Sequence, residues 1–300
     1  MLKIAYSPVY KYELPEGHRF PMIKYELIPE QLLYEGSIQE SNFFHPDQLN
    51  RDQILLTHTK GYLDKLESLN LTRREIRDIG FPVKSSLIER GKYIAHGTYT
   101  CALEAMNSGC AMNIAGGTHH SYADHGEGFC IYNDIAISSN LLLENNLCKK
   151  ILIVDLDVHQ GNGTAKIFEN EDRVFTFSMH GERNYPLRKE KSDLDVGLPD
   201  KTEDKEYLKS LDYHLKNLID QVEPEFVFYL SGVDVLETDK LGRLALSKAG
   251  CKQRDMLVFE TLKKNNLSVA VSMGGGYSER ISDIVDAHAN TFRSALEVYF

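Results

Sequence analysis

Ile151-Leu-Ile-Val-Asp155-Leu-Asp157-Val-His159-Gln-Gly-Asn162-Gly163 decides more about the fold than any other stretch of this 300-residue chain. Four consecutive apolar residues, bounded by charge and then by glycine, read as a strand buried on both faces. At its end Asp155, Asp157 and His159 fall at i, i+2 and i+4, so on an extended chain their side chains point the same way. Two carboxylates and an imidazole turned into one crevice are costly unless a cation or hydrogen bonds compensate them. The glycines that follow permit a sharp turn there. A lone aspartate would read as the cap of the next helix; the grouped arrangement reads as a metal site.

Working outward, Val174–Phe177, Phe226–Leu230 and Val269–Met273 are equally brief apolar runs bounded by polar residues or glycine. Amphipathic stretches lie between them. In Asp204–Val222 the residues Tyr207, Leu208, Leu211, Leu215, Leu218, Ile219 and Val222 mark one helix face, and Pro224 stops it. Similar stripes run through Ile135–Leu143 and Ile284–Leu296. Strand and helix alternating in this way predict an α/β fold: a central, mostly parallel sheet with helices on both faces. No linker, repeat or low-complexity tract divides the chain, so residues 1–300 are expected to form a single domain. In open α/β sheets the site lies at the strands' carboxyl ends, which directs attention to the polar residues after each apolar run.

A second such run delivers Asp234, in Ser231-Gly-Val-Asp234-Val-Leu. With Asp157 and His159 it makes a set of two carboxylates and one neutral imidazole, which balances a divalent charge and leaves a position open for water, as a catalytic zinc site requires. Iron(II) accepts the same oxygen and nitrogen donors. Upstream, Gly116-Gly-Thr-His119-His120-Ser sets a tandem histidine pair behind a glycine turn, placed for proton transfer beside a metal crevice. Asp155 and Asn162 are the natural partners to orient the two rings. Downstream, Gly274-Gly-Gly-Tyr277 lets the backbone approach a ligand and brings up a phenol that can donate to a developing oxyanion.

Composition narrows the function classes. The formal net charge is −10 and no run of lysine and arginine would track a phosphate backbone, so direct nucleic-acid binding is not expected. The acidic balance suits cationic partners such as lysine-rich segments or polyamines. Five cysteines, scattered and never in a CxxC pair, indicate neither a disulfide framework nor a thiolate zinc site. The first residues lack the features of a signal peptide, and no apolar stretch approaches the ~20 residues of a membrane span. A cytoplasmic protein, monomeric by default, is the expectation.

Taken together, GTHHS, GFCIYND, DLDVHQGNG, SGVDVL and GGGY, in this order between residues 117 and 277, resemble the zinc-dependent histone deacetylase family. The stretch Asp234–Gly242, Asn162 within DVHQGNG, and Phe81-Pro-Val followed by Leu87-Ile-Glu-Arg look more narrowly like its class IV branch, typified by histone deacetylase eleven, and its bacterial relatives. The resemblance implies an arginase/deacetylase-like sheet of about eight strands. It implies zinc on Asp157, His159 and Asp234, His120 as general base and acid, His119 as electrostatic support, and Tyr277 polarising the substrate carbonyl. Phe129 would wall a narrow channel for an acyl-lysine side chain, with Tyr185 opposite and Leu241 at the rim. A structural potassium ion would sit on main-chain oxygens of Asp155, Asp157, His159 and Met179 with the Ser178 hydroxyl. The expected substrate is an acyl-lysine protein or peptide.

Two departures matter. Asn162 stands where many class I members carry aspartate, and a neutral amide stabilises an imidazolium less than a carboxylate does. The rim aspartate with which class I members grip the substrate backbone has no counterpart in Ile79–Ser86, which leaves room for a small acylated amine such as an acetylpolyamine or for a longer acyl chain. A ureohydrolase of arginase type is the nearest rival enzyme, but Leu236 stands where its second late aspartate would be. A catalytically silent acyl-lysine reader is the rival of another class.

Overall fold

The computed structural model describes residues Met1–Phe300. Eight strands form one sheet: β1 (Lys3–Ala5), β2 (Phe43–Phe44), β3 (Cys110–Asn113), β4 (Ile151–Asp155), β5 (Val174–Gly181), β6 (Leu194–Leu198), β7 (Phe226–Leu230) and β8 (Ser268–Ser272). Ten α-helices accompany them: α1 (Lys24–Tyr34), α2 (Arg51–Leu55), α3 (Lys60–Glu67), α4 (Arg73–Ile79), α5 (Ser85–Ser108), α6 (Asp134–Glu144), α7 (Asn162–Ile167), α8 (Asp204–Val222), α9 (Lys248–Lys264) and α10 (Ile281–Tyr299). The strand order is β2-β1-β3-β8-β7-β4-β5-β6. Every pairing is parallel. The sheet is therefore wholly parallel rather than mostly so, as expected where successive strands are joined by crossovers instead of hairpins.

Side-chain alternation sorts the strands' residues onto two faces. Leu152, Val154, Val227, Tyr229, Val269 and Val271 join a core with Tyr207 and Leu211 of α8, Val258 and Phe259 of α9, and Ile284 and Phe292 of α10. Ile151, Ile153, Phe226, Phe228 and Ala270 face the other way, onto Cys101 and Ala105 of α5, Ala136 and Leu142 of α6, and Phe168 beyond α7. Burial on both faces is why these strands carry no polar alternation.

From β4 the chain moves out through β5 to β6, then returns on the far side of β4 through β7 and β8. The carboxyl ends of β4 and β7 thus flank a topological switch point, where side chains after neighbouring strands diverge around a crevice. Register puts Asp155 opposite Leu230, so the residues after each project into the same place. The expected helix Asp204–Val222 is α8 itself. Glu223, at φ 49, breaks it in the left-handed region before Pro224.

Candidate active site

The DxDxH stretch and Asp234 meet over that crevice. Ligand atoms of Asp157, His159 and Asp234 all lie within 4.8 Å of one another, and all three residues are buried. His159 Nδ1 is 3.0 Å from Asp157 Oδ1 and 3.2 Å from Asp234 Oδ2. The Val158 N–H donates to Asp234 Oδ1 at 2.9 Å, and the Gly275 N–H donates to Asp157 Oδ2 at 2.7 Å, so each carboxylate is held in orientation by backbone. Asp234 Oδ2, by contrast, is buried with no hydrogen-bond donor.

An orphaned carboxylate oxygen between a second carboxylate and an imidazole marks a place short of positive charge. Burial, with Asp157 beside it, pushes Asp234 up to about 7. Burial works to raise Asp157, but hydrogen bonding to His159 and the charges of His119 and His159 together hold it well below the carboxylate range. Burial disfavours a charged His159, yet its hydrogen bond to Asp157 and the charge of Asp234 beside it raise it to about 10. The cluster attracts a proton where a divalent cation can stand, and its donor set of carboxylate oxygens and one imidazole nitrogen fits zinc or iron(II).

The tandem histidines sit beside it on opposite partners. His119 Nδ1 donates to Asp155 Oδ2 at 2.6 Å, and although burial works against it, this carboxylate lifts the imidazole to about 9. His120 Nδ1 lies 2.6 Å from Asn162 Oδ1. Burial, reinforced by His119 and His159 nearby, drives His120 well below its ordinary value and keeps it neutral. The turn that presents the pair is tied by Asp134 at the start of α6, whose carboxylate accepts from the Gly117 and Thr118 N–H groups at 3.2 and 2.8 Å.

The glycine loop after β8 closes the far side. A Cβ at Gly275 would stand 2.0 Å from Asp234 Oδ2 and 2.8 Å from Asp157 Oδ2, so no larger residue fits there. Tyr277 follows, half-buried, with its ring 6.4 Å from that of His159. Burial, then Asp234 and Asp157, push its phenol well above the ordinary value, so it holds its proton as a donor.

Above this floor runs a channel. Phe129, at φ 70, adopts a left-handed conformation that costs a bulky residue of order 1–3 kcal/mol and is tolerated where a site demands it. Its ring packs on Phe81, Phe20 and Tyr277 with centroids 5.0, 5.3 and 6.2 Å away. Tyr185 stands edge-on to His120 at 5.1 Å. Phe129, Tyr185 and Leu241 line the outer cavity together with Arg19, Asp78, His120, His159 and Tyr277. An inner cavity continues past His120 and Tyr277 to Tyr25, Arg90, Ile94 and Cys130.

Every residue singled out for metal binding, proton transfer or channel lining thus lies around one cavity or directly behind it. Of the residues assigned to potassium, Asp155 and Ser178 are register partners on β4 and β5, Met179 follows Ser178, and Asp157 and His159 follow β4. The Ser178 hydroxyl lies 2.9 Å from His180 Nδ1. Asp78, one residue before the segment Ile79–Ser86, is among the residues that line the outer cavity. Leu236 is buried and bridges to Leu246, so it presents no ligand to the crevice.

No motif marks Lys24, fully buried behind the glycine loop, whose Nζ donates to the Gly274 carbonyl at 2.9 Å. Burial lowers it to about 8 against the pull of Asp234 and Asp157. Nor did Glu127 announce itself, although its place between two glycines next to Phe129 was a usable hint.

The chain is similar to known proteins in sequence and in fold. Residues 18–292 match the histone deacetylase domain family. An uncharacterized protein of Picosynechococcus sp. is 43% identical over 296 residues, covering 99% of both chains. Histone deacetylase 2 of Arabidopsis thaliana is 29% identical over 308 residues, covering 98% of this chain and 80% of its own length. Among solved structures, an HDAC homolog complexed with SAHA superposes with a TM-score of 0.85 at 24% identity, over 99% of this chain and 84% of that one.

Proposed function

From the premise that this chain belongs to the histone deacetylase domain family, we propose that it is a metal-dependent hydrolase removing acetyl or longer acyl groups from lysine side chains of proteins or peptides. Asp157, His159 and Asp234 are the metal-holding residues, and the unpartnered Asp234 Oδ2 carries that reading. Zinc, when bound there, supplies a Lewis acid for the amide carbonyl and a water acidified toward neutral pH.

The protein's own groups do the rest. Phe129 and Tyr185 sheathe the aliphatic stem of the acyl-lysine and exclude water from the reacting carbon. His120, neutral and buried, takes the proton of the attacking water on its unpaired nitrogen. The proton it then carries is available to the departing amine. His119, paired with Asp155, holds positive charge beside the reacting centre. Tyr277 donates its phenolic proton in a hydrogen bond to the carbonyl oxygen as negative charge develops. A potassium ion on Asp155, Asp157, His159, Ser178 and Met179 would stiffen the strand ends beneath, and class IV, bacterial-type membership is the finer placement we favour. Leu236, apolar and buried, speaks for one catalytic metal rather than an arginase-type pair.

The test is release of free amine from matched acetyl-, trifluoroacetyl- and long-chain-acyl-lysine peptides and from an acetylpolyamine, with zinc supplied and a chelated control. Chelator-sensitive turnover of a peptide supports the reading, and turnover of the polyamine alone replaces it with a small-amine deacylase. Tight peptide binding with no turnover replaces it with a reader.

A further inference from the structure

Behind His120 the polar contacts continue outward. Asn162, buried at 1% exposure, turns Oδ1 toward His120 Nδ1. Its Nδ2 donates to Glu127 Oε1 at 2.6 Å and to the Tyr122 hydroxyl oxygen at 3.0 Å. The Tyr122 hydroxyl in turn donates to Glu190 Oε1 at 3.3 Å. Glu127 Oε1 also accepts from the Tyr185 hydroxyl at 2.6 Å. Backbone geometry fixes Glu127 here, because its carbonyl accepts from the Cys130 N–H at 2.9 Å across the tight turn that carries Phe129.

An asparagine amide can be placed either way round, and only its partners decide which end is which. A carboxylate offers lone pairs and no proton. The Tyr122 hydroxyl has committed its proton to Glu190, so it too offers a lone pair. Both outer partners of Asn162 are acceptors, which forces the NH2 outward and the carbonyl oxygen toward His120. A carbonyl oxygen can only accept, so the proton of the neutral imidazole must reside on Nδ1 and Nε2 keeps the lone pair. With aspartate in place of Asn162 no such device would be needed, because a carboxylate has no wrong end.

We propose that Glu127 is a positioning residue: by accepting from Asn162 it fixes the amide and thereby the Nδ1–H tautomer of His120, and the same oxygen tethers the channel-wall residue Tyr185. The proposal rests on the reading of His120 as general base. Glu127 touches neither substrate nor metal ligand; it acts through Asn162.

The experiment uses the zinc-loaded protein with ring-labelled histidine. Two-bond proton–nitrogen correlation is expected to show His120 protonated on Nδ1 in the wild type and in Glu127→Gln, whose side-chain oxygen can still accept. In Glu127→Ala it is expected to show an admixture of the Nε2–H form. Turnover should follow: Glu127→Ala lowers kcat roughly tenfold, a part of the ~10²–10⁴ that a positioned base contributes, and Glu127→Gln restores it to within about threefold. In an Asn162→Asp background Glu127→Ala should lower kcat no further. Equal losses in both backgrounds, or a His120 tautomer unchanged in Glu127→Ala, would overturn the proposal and leave Glu127 a support for the Tyr185 wall alone. Should the wild type hydrolyse no acyl-lysine, the functional reading falls, yet the His120 tautomer still decides the role of Glu127.

Discussion

His119 and His120 are neighbours in the chain with unlike partners, a carboxylate for one and an amide for the other. Environment rather than residue type sets their proton affinities, about 9 for His119 and far below the ordinary value for His120. This is how one pair of like groups comes to carry unlike roles. His120→Ala is expected to lower kcat by ~10²–10⁴, and Tyr277→Phe by ~10²–10³, both with metal content unchanged by elemental analysis. Near-wild-type turnover in either variant would remove that residue from the mechanism. Gly275→Ala should instead act on the metal: its Cβ would stand 2.0 Å from Asp234 Oδ2, so zinc affinity, read by competition with a chromophoric chelator, is expected to fall at least tenfold, a second-sphere-sized effect. At this scale the sequence was legible where chemistry recurs at short spacing, as in Asp155, Asp157 and His159. It was silent on Lys24 and Glu127, because their meaning lies in contacts with residues 250 and 35 positions away.

At the scale of elements, α9 does more than cover the sheet. Arg254, fully buried, pairs with Asp255 at 2.8 Å and donates to the carbonyl of Gly232, two residues before Asp234. Asp255 also accepts from the Thr291 hydroxyl of α10 at 2.8 Å and from Tyr229 of β7. One ion pair thus locks two helices to the strand end that delivers Asp234. Arg254→Met would strand the Asp255 charge in the core at a cost of about 3–5 kcal/mol, measurable as a lower urea midpoint of metal-free protein. A loss under about 1 kcal/mol, the level of a surface pair, would contradict this. The long elements were legible from periodicity: α8 begins and ends where the apolar stripe and Pro224 indicate. The two- and three-residue strands β2 and β1 were not, since such lengths carry no period and form only by pairing, β1 on the edge of β3 and β2 on β1.

Across the whole molecule, stability should depend on pH through imidazoles locked in neutral form. His58 is buried, and its Nε2 accepts from the Asn133 N–H at 3.1 Å, a bond that protonation at Nε2 would destroy. Burial depresses it from 6.5 to about 4, and burial depresses His180 to about 4 as well. Because the unfolded chain binds these protons more readily, stability is fully present above about 6.5 and declines as pH falls toward about 4, by up to roughly 3 kcal/mol for His58. Urea titrations at pH 7 and pH 5 should show the decline, and His58→Gln should flatten it; an unchanged slope in that variant would assign the effect elsewhere. No helix of the chain is long and apolar enough to cross a membrane. The parallel architecture was legible from alternating apolar runs and stripes, but strand order was not, since pairings such as β3 with β8 join residues more than 150 positions apart.

In the proposed function a single metal on Asp157, His159 and Asp234 serves hydrolysis of an acyl-lysine amide. Stripping the protein with a chelator and returning zinc in steps, while free amine released from an acyl-lysine peptide is recorded, addresses it most directly. No turnover is expected in the stripped protein, followed by a rise that breaks at one zinc per chain. A break at two, or turnover indifferent to zinc, would contradict it.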